Sequence, residues 1–100
     1  MSDDDGEIRF EWDPDKAEAN FAKHGATFEE AATVFYDDHA GIDDDPDHSI
    51  GEQRELICGR SAEGRLLPVT FTERGEAIRI IHARVAANRE RKKYEETLIL

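Results

Sequence analysis

The sequence predicts a small α+β domain in which two N-terminal helices pack on one face of an antiparallel sheet. Three observations carry that prediction. The stretch "EIRFEW", residues 7–12, alternates, so Ile8, Phe10 and Trp12 share one side of a strand. Phe28, Ala31, Ala32 and Phe35 recur at helical spacing and form one apolar stripe. Three apolar runs in the second half are joined by the glycine turns "SAEGR" and "ERGE", which reads as an antiparallel meander. The expected order is β-α-α-β-β-β-α.

Each element has its local reason. Residues 1–6 form an acidic tail expected to be flexible, and residues 7–100 form one domain. After the first strand, Asp13 can cap a helix and Pro14 suits its first position, where no backbone donor is needed. This helix runs from Pro14 to about His24, burying Ala17, Phe21 and Ala22, and Gly25 stops it. Thr27 with Glu30 makes a capping box for the second helix. Residues 37–51 turn acidic and irregular. Strands are expected at Gln53–Gly59, Leu66–Thr72 and Ala77–Val85, and a last helix at Ala86–Thr97. The helices cover one sheet face, leaving the other partly open for binding.

Composition narrows the function. At 100 residues and 38% apolar content, the chain has room for one modest core. No window approaches a membrane span and no leader resembles a secretory signal. Cys58, the one cysteine, has no internal partner, which fits a reducing cytoplasm and a small strand side chain. The net charge of −11 hides an asymmetry: residues 1–55 hold eighteen acidic and four basic side chains, residues 56–100 six acidic and nine basic. A polyanion would be repelled by the first part and could dock only on the second.

Metal and nucleophile motifs are missing. Asp43, Asp45 and Asp47 alternate as in a calcium loop, but the sixth and twelfth places hold His48 and Arg54 instead of glycine and an acid. His24, His39, His48 and His82 lack zinc-site spacing. No cofactor is expected. The cationic set remains: Arg54, Arg79 and Arg84 on strands, then Arg89, Arg91, Lys92 and Lys93 on the last helix. Arginine forks grip phosphate. RNA can be cut without metal when its own 2′-hydroxyl attacks the neighbouring phosphorus, given a base, an acid and cations. Glu52, His48 and His82 supply the proton-carrying types around the meander. Each residue also has a plainer role open to it. Arg79 and Arg84 can pair with helix acids or form a partner surface, and Glu52 can pair with a strand arginine. His82 can sit at the edge of the core, His24 can steady a helix end, and Tyr94 can be a packing residue.

Several motifs together resemble the BrnT family of toxins. They are W-D-P-x-K with N-x-x-K-H-G (Trp12, Asp13, Pro14, Lys16, Asn20, Lys23, His24, Gly25), H-S-x-G-E-x-R (His48, Ser49, Gly51, Glu52, Arg54), G-R-S (Gly59, Arg60, Ser61) and R-I-I-x-A-R (Arg79, Ile80, Ile81, Ala83, Arg84). The resemblance implies a RelE-like fold and the ribonuclease toxin of a type II toxin–antitoxin pair, acting without metal to stop translation. It implies a BrnA-like antitoxin with a ribbon-helix-helix DNA-binding domain, operator DNA bound only through that antitoxin, and room for a dimer within the complex. Arg54, Arg79 and Arg84 are then phosphate clamps, with Glu52, His48 or His82 as proton carriers. Lys23, Arg89, Arg91, Lys92, Lys93 and Tyr94 would contact RNA. In one place the chain departs from the family pattern: His82 stands where serine is usual. A protein-interaction module without cleavage, and an RNA binder without chemistry, are the rival readings.

Overall fold

The computed structural model describes residues 7–44 and 53–99. The acidic tail, His48, Glu52, Asp45 and Asp47 lie outside the described residues. The elements are β1 (Arg9–Glu11), α1 (Pro14–His24), α2 (Phe28–Thr33), a 3₁₀ turn (Val34–Tyr36), β2 (Gly41–Asp44), β3 (Glu55–Arg60), β4 (Leu66–Arg74), β5 (Ala77–Ala83) and α3 (Asn88–Thr97). Five strands form one sheet in the order β1-β5-β4-β3-β2.

Two expectations about the sheet are corrected. It is mixed, because β1 runs parallel to β5, with Phe10 opposite Ile78 and Glu11 opposite Arg79. The other pairings are antiparallel. Alternation in β1 fixes which side chains go inward and says nothing of strand direction. The sheet also gains β2, "GIDD", inside the stretch read as irregular. It pairs with the outer edge of β3, and all four of its residues are exposed. Asp43 and Asp44 place charge on that edge, which discourages pairing with another sheet.

Local chemistry explains the helices. Asp13 accepts a hydrogen bond from the Asp15 N–H at 2.8 Å, Pro14 opens α1, and Gly25 closes it at φ 71°, donating to the Phe21 carbonyl. The inward side of α1 differs from expectation: Phe21 is 54% exposed, and Asn20 is the buried residue. Asn20 works on the free upper edge of β5. Its amide donates to the Ala83 and Ala26 carbonyls at 2.8 and 3.0 Å and accepts from the Ala83 N–H. Backbone groups that β1 is too short to reach are thereby satisfied. In α2, Thr27 accepts from the Glu30 N–H, as expected of a cap. The Glu30 carboxylate, however, does not return to Thr27. It accepts from Ser61 Oγ at 2.7 Å and from the Arg65 guanidinium at 2.6 and 3.0 Å. Those Arg65 bonds hold its carboxyl below the ordinary range, against the opposing effect of burial.

The core lies between α2 with its 3₁₀ turn and the inward side chains of the sheet. Phe28, Ala31, Val34, Ile57, Leu67, Val69, Phe71, Ile80 and Ala83 are buried there, with Phe10, Trp12 and Phe35 packed against them. Phe10, Phe35 and Phe71 touch edge-to-face in sequence, at ring separations of 5.2 and 5.0 Å. Each large apolar side chain contributes roughly 1.5–3 kcal/mol by burial. Side chains alternating with this set point to the opposite face. That face carries the polar chemistry.

Candidate functional site

Strand register builds a polar row across the opposite face. Glu11 on β1 stands opposite Arg79 on β5, and Arg79 stands opposite Thr72 on β4. One step beyond the Glu55–Phe71 pair, Arg54 comes opposite Thr72. Thr72 Oγ1 donates to the Gln53 carbonyl at 2.6 Å, which ties the start of β3 to that place. Three strands and the residue that leads into β3 therefore set Glu11, Arg79, Thr72 and Arg54 in one row. Arg79 donates to the Glu11 carboxylate at 3.1 Å and keeps about a third of its side chain open, 29%. Arg54 is different. Its Nε is buried and has no hydrogen-bond partner among the described residues. One donor of this guanidinium is thus buried and unsatisfied among the described residues, an arrangement folding alone does not favour. Further along β5, past the bulge at Thr70/Phe71, His82 stands opposite Thr70.

The other end of this face is covered by α3. Tyr94 is the one residue of α3 classed as buried among those described. Its hydroxyl donates to Asp37 at 2.6 Å, and the Arg60 guanidinium sits 5.4 Å from its ring centre. Asp37 also accepts from the Arg60 and His39 N–H groups. Burial pushes the Asp37 carboxyl up, and the hydrogen bonds from Arg60, Tyr94 and His39 outweigh it, leaving the group below the ordinary range. Burial and the bond to Asp37 raise the Tyr94 phenol. Gly59 permits this junction: a Cβ there would come within 2.7 Å of the Ala40 Cβ. Arg84 grips Glu90 through two bonds of 2.9 and 2.8 Å, and Glu90 also accepts from the Ala87 N–H at the start of α3. Hydrogen bonding to Arg84 holds the Glu90 carboxyl low. Burial first, then the Glu90 charge, raises the nearby Cys58 thiol.

A third cluster lies where α1 meets β5. Lys16, Lys23, His24 and His82 line a shallow cleft of about 240 Å³. The Nε2 atoms of His24 and His82 are 3.1 Å apart.

These placements sort the predicted residues. Arg54 and Arg79 flank Thr72 from opposite sides of β4, and His82 lies further along β5. Arg84 lies apart, committed to Glu90. Arg89, Lys92 and Lys93 are exposed on α3, Arg91 is half-buried, and Lys93 reaches Asp43 at 3.4 Å. Lys23 is exposed beside the histidine cleft. Tyr94 has its ring packed and its hydroxyl used, so in this chain it anchors α3; an exposed aromatic face for a base is not what the structure gives it. His48 and Glu52 lie outside the described residues. Glu11 and Thr72 were missed, because only the β1–β5 and β4–β5 registers bring them to the arginines. Among the described residues, no group of three or more His, Cys, Asp or Glu gathers as a metal site, and no helix is long and apolar enough to cross a membrane.

The face opposite the core thus carries Arg54 and Arg79 on either side of Thr72, with further cations on α3, but it is not the open surface expected: Leu66, Pro68, Thr70 and Thr72 are all buried on it. Comparison with known proteins gives the class: residues 12–90 match the model of a family described as the ribonuclease toxin, BrnT, of type II toxin–antitoxin systems. The chain belongs to this BrnT family, and so to the endoribonuclease toxins that are paired with a cognate antitoxin. The fold agrees with the crystal structure of the Brucella abortus ribonuclease toxin, BrnT, at a TM-score of 0.63 and 22% identity, covering 82% of this chain and all of that one. Comparison with curated proteins finds no match.

Proposed function

We propose that the scissile phosphate of RNA lies against Arg54, Thr72 and Arg79, and that cleavage proceeds without metal. The 2′-hydroxyl gives its proton to a base as its oxygen bonds to phosphorus. The bond from phosphorus to the 5′-oxygen breaks, and that oxygen takes a proton from an acid. The products are a 2′,3′-cyclic phosphate and a 5′-hydroxyl. Arg54 and Arg79 stabilise the extra negative charge of the transition state, and Glu11 orients Arg79. His82, with His48 and Glu52 from the segment before β3, carries the protons. Arg84 joins the clamp only by exchanging Glu90 for phosphate. Lys23, Arg89, Arg91, Lys92 and Lys93 hold flanking nucleotides through their phosphates.

The observation that carries this reading is the buried Arg54 Nε without a partner among the described residues, with only β4 between Arg54 and Arg79. Loss of messenger RNA then stops translation. The reading includes a RelE-like fold and an antitoxin of the BrnA type. That antitoxin's ribbon-helix-helix domain makes the operator contacts, and the complex is built around a dimer. Induction of the free protein in bacteria, with an RNA gel, tests the enzyme; Arg79→Ala tests the site. Growth arrest and RNA loss are expected from the native chain, with cleavage lower by roughly 10²–10³ in the variant. Intact RNA during native induction, or an Arg79→Ala chain that cuts equally well, overturns the reading.

A further inference from the structure

We infer that His24 and His82 form a chelating site for a borderline divalent transition ion such as Zn²⁺, Ni²⁺ or Cu²⁺, and that an ion held there blocks RNA cleavage. The first half rests on geometry alone. The second rests on the proton-carrier role given to His82 above.

His24 comes from the last turn of α1 and His82 from β5, so the fold brings together two rings fifty-eight residues apart. Their Nε2 atoms are 3.1 Å apart. With metal–nitrogen bonds of ~2.05 Å, two ligands on one ion are about 2.9 Å apart at a right angle and about 3.35 Å at the tetrahedral angle. The observed separation falls between. The rings agree: their centres are 4.7 Å apart, with planes at 79°. A collinear N–H···N contact of the same length would put the centres about 5.4 Å apart. The shorter spacing excludes a collinear contact and is close to the ~4.8 Å that two imidazoles sharing one ion at this nitrogen separation would show. An ion between the rings takes both Nε2 lone pairs, which requires each imidazole in its neutral form with the proton on Nδ1.

The surroundings set the kind of ion. Lys16 and Lys23 line the same cleft and oppose any cation. With two protein donors among the described residues, the remaining positions go to water. Hard ions such as Mg²⁺ and Ca²⁺, which want oxygen ligands, gain little there; ions with a strong preference for imidazole gain most.

Calorimetric titration of the whole chain with ZnCl₂, and with MgCl₂ as control, tests the first half. The native chain is expected to bind one Zn²⁺ at this site and no Mg²⁺. His82→Ser and His24→Asn should each weaken zinc binding by roughly tenfold or more. Melting in EDTA shows that each variant is folded, and His82→Ser alone suffices if His24→Asn is not. Equal zinc affinity in the native chain and in the folded variants overturns the site. The second half is read on an RNA gel: cleavage by the native chain should stop when zinc saturates the site and return with EDTA. Undiminished cleavage at saturation upholds the ion site and removes His82 from proton transfer.

Discussion

Arg54→Met separates chemistry from stability. The Arg54 Nε–H is buried with no acceptor among the described residues, and a buried donor in that state costs about 1–3 kcal/mol. Methionine keeps an unbranched stem and removes the orphaned donor. Taking the low end, a gain of about 1 kcal/mol raises the Tm of a domain this size by roughly 4–8 °C. RNA cleavage should move the other way. Loss of one preorganised donor to the transition state costs roughly 10²–10³ in kcat. Differential scanning calorimetry and a single-turnover assay on labelled RNA read the two effects on one preparation. Arg54→Lys, which keeps the charge without the fork, should fall between. A methionine variant that melts lower and still cuts would refute the reasoning: the guanidinium would then be a structural group, and the phosphate would lie elsewhere.

Other expectations test the frame around the site. Gly59→Ala forces a Cβ to within 2.7 Å of Ala40, so it should cost about 1–3 kcal/mol, read as a lower urea midpoint; an unchanged midpoint means the loop at Ala40 gives way freely. Tyr94→Phe removes the donor to the Asp37 carboxylate and should cost about 1.5–3 kcal/mol, with cleavage lost only in proportion to unfolding. Glu30, Asp37 and Glu90 all have carboxyls held below the ordinary range in the folded chain. Their contribution is complete above the unfolded values, near pH ~4, and is lost as pH falls through the lower folded values. Urea melts from pH 6 to 3 should therefore be flat and then fall; stability that climbs on acidification contradicts the three assignments. Cys58, with its thiol raised by burial, should react with iodoacetamide more slowly than a free thiol at pH 8, and at the free rate only in denaturant.

Much of this architecture was legible in the sequence, since its signals are local. The alternation of Phe10 and Trp12, the Asp13–Pro14 start, the Gly25 stop and the stripe of Phe28, Ala31 and Phe35 each act within a few residues. What escaped depends on partners far along the chain. Asn20 is a polar residue on an amphipathic helix, and only the short reach of β1 makes it the buried one while Phe21 faces water. Glu30 reads as a capping-box acid until Arg65 and Ser61 arrive from across the fold. The strand "GIDD" has one apolar residue and no rhythm; it exists because β3 has an open edge. In the candidate site, Arg54 and Arg79 were singled out by residue type. Glu11 and Thr72, which stand beside them, required the register. Arg84 carries the charge of a clamp, but the turn into α3 hands it to Glu90.

The attachment of α3 has a consequence for measurement. The helix that carries Arg89, Arg91, Lys92 and Lys93 is moored by the Tyr94 hydroxyl on Asp37, by Arg84 on Glu90 and by Lys93 on Asp43. Ions in solution screen the two ionic moorings as well as the attraction to RNA. On the proposal that this arm holds RNA, titrating salt loosens the arm while weakening its grip. Affinity should fall with log salt more steeply than a tally of phosphate contacts allows, and a disulfide pinning α3 to β3 should restore the shallower slope.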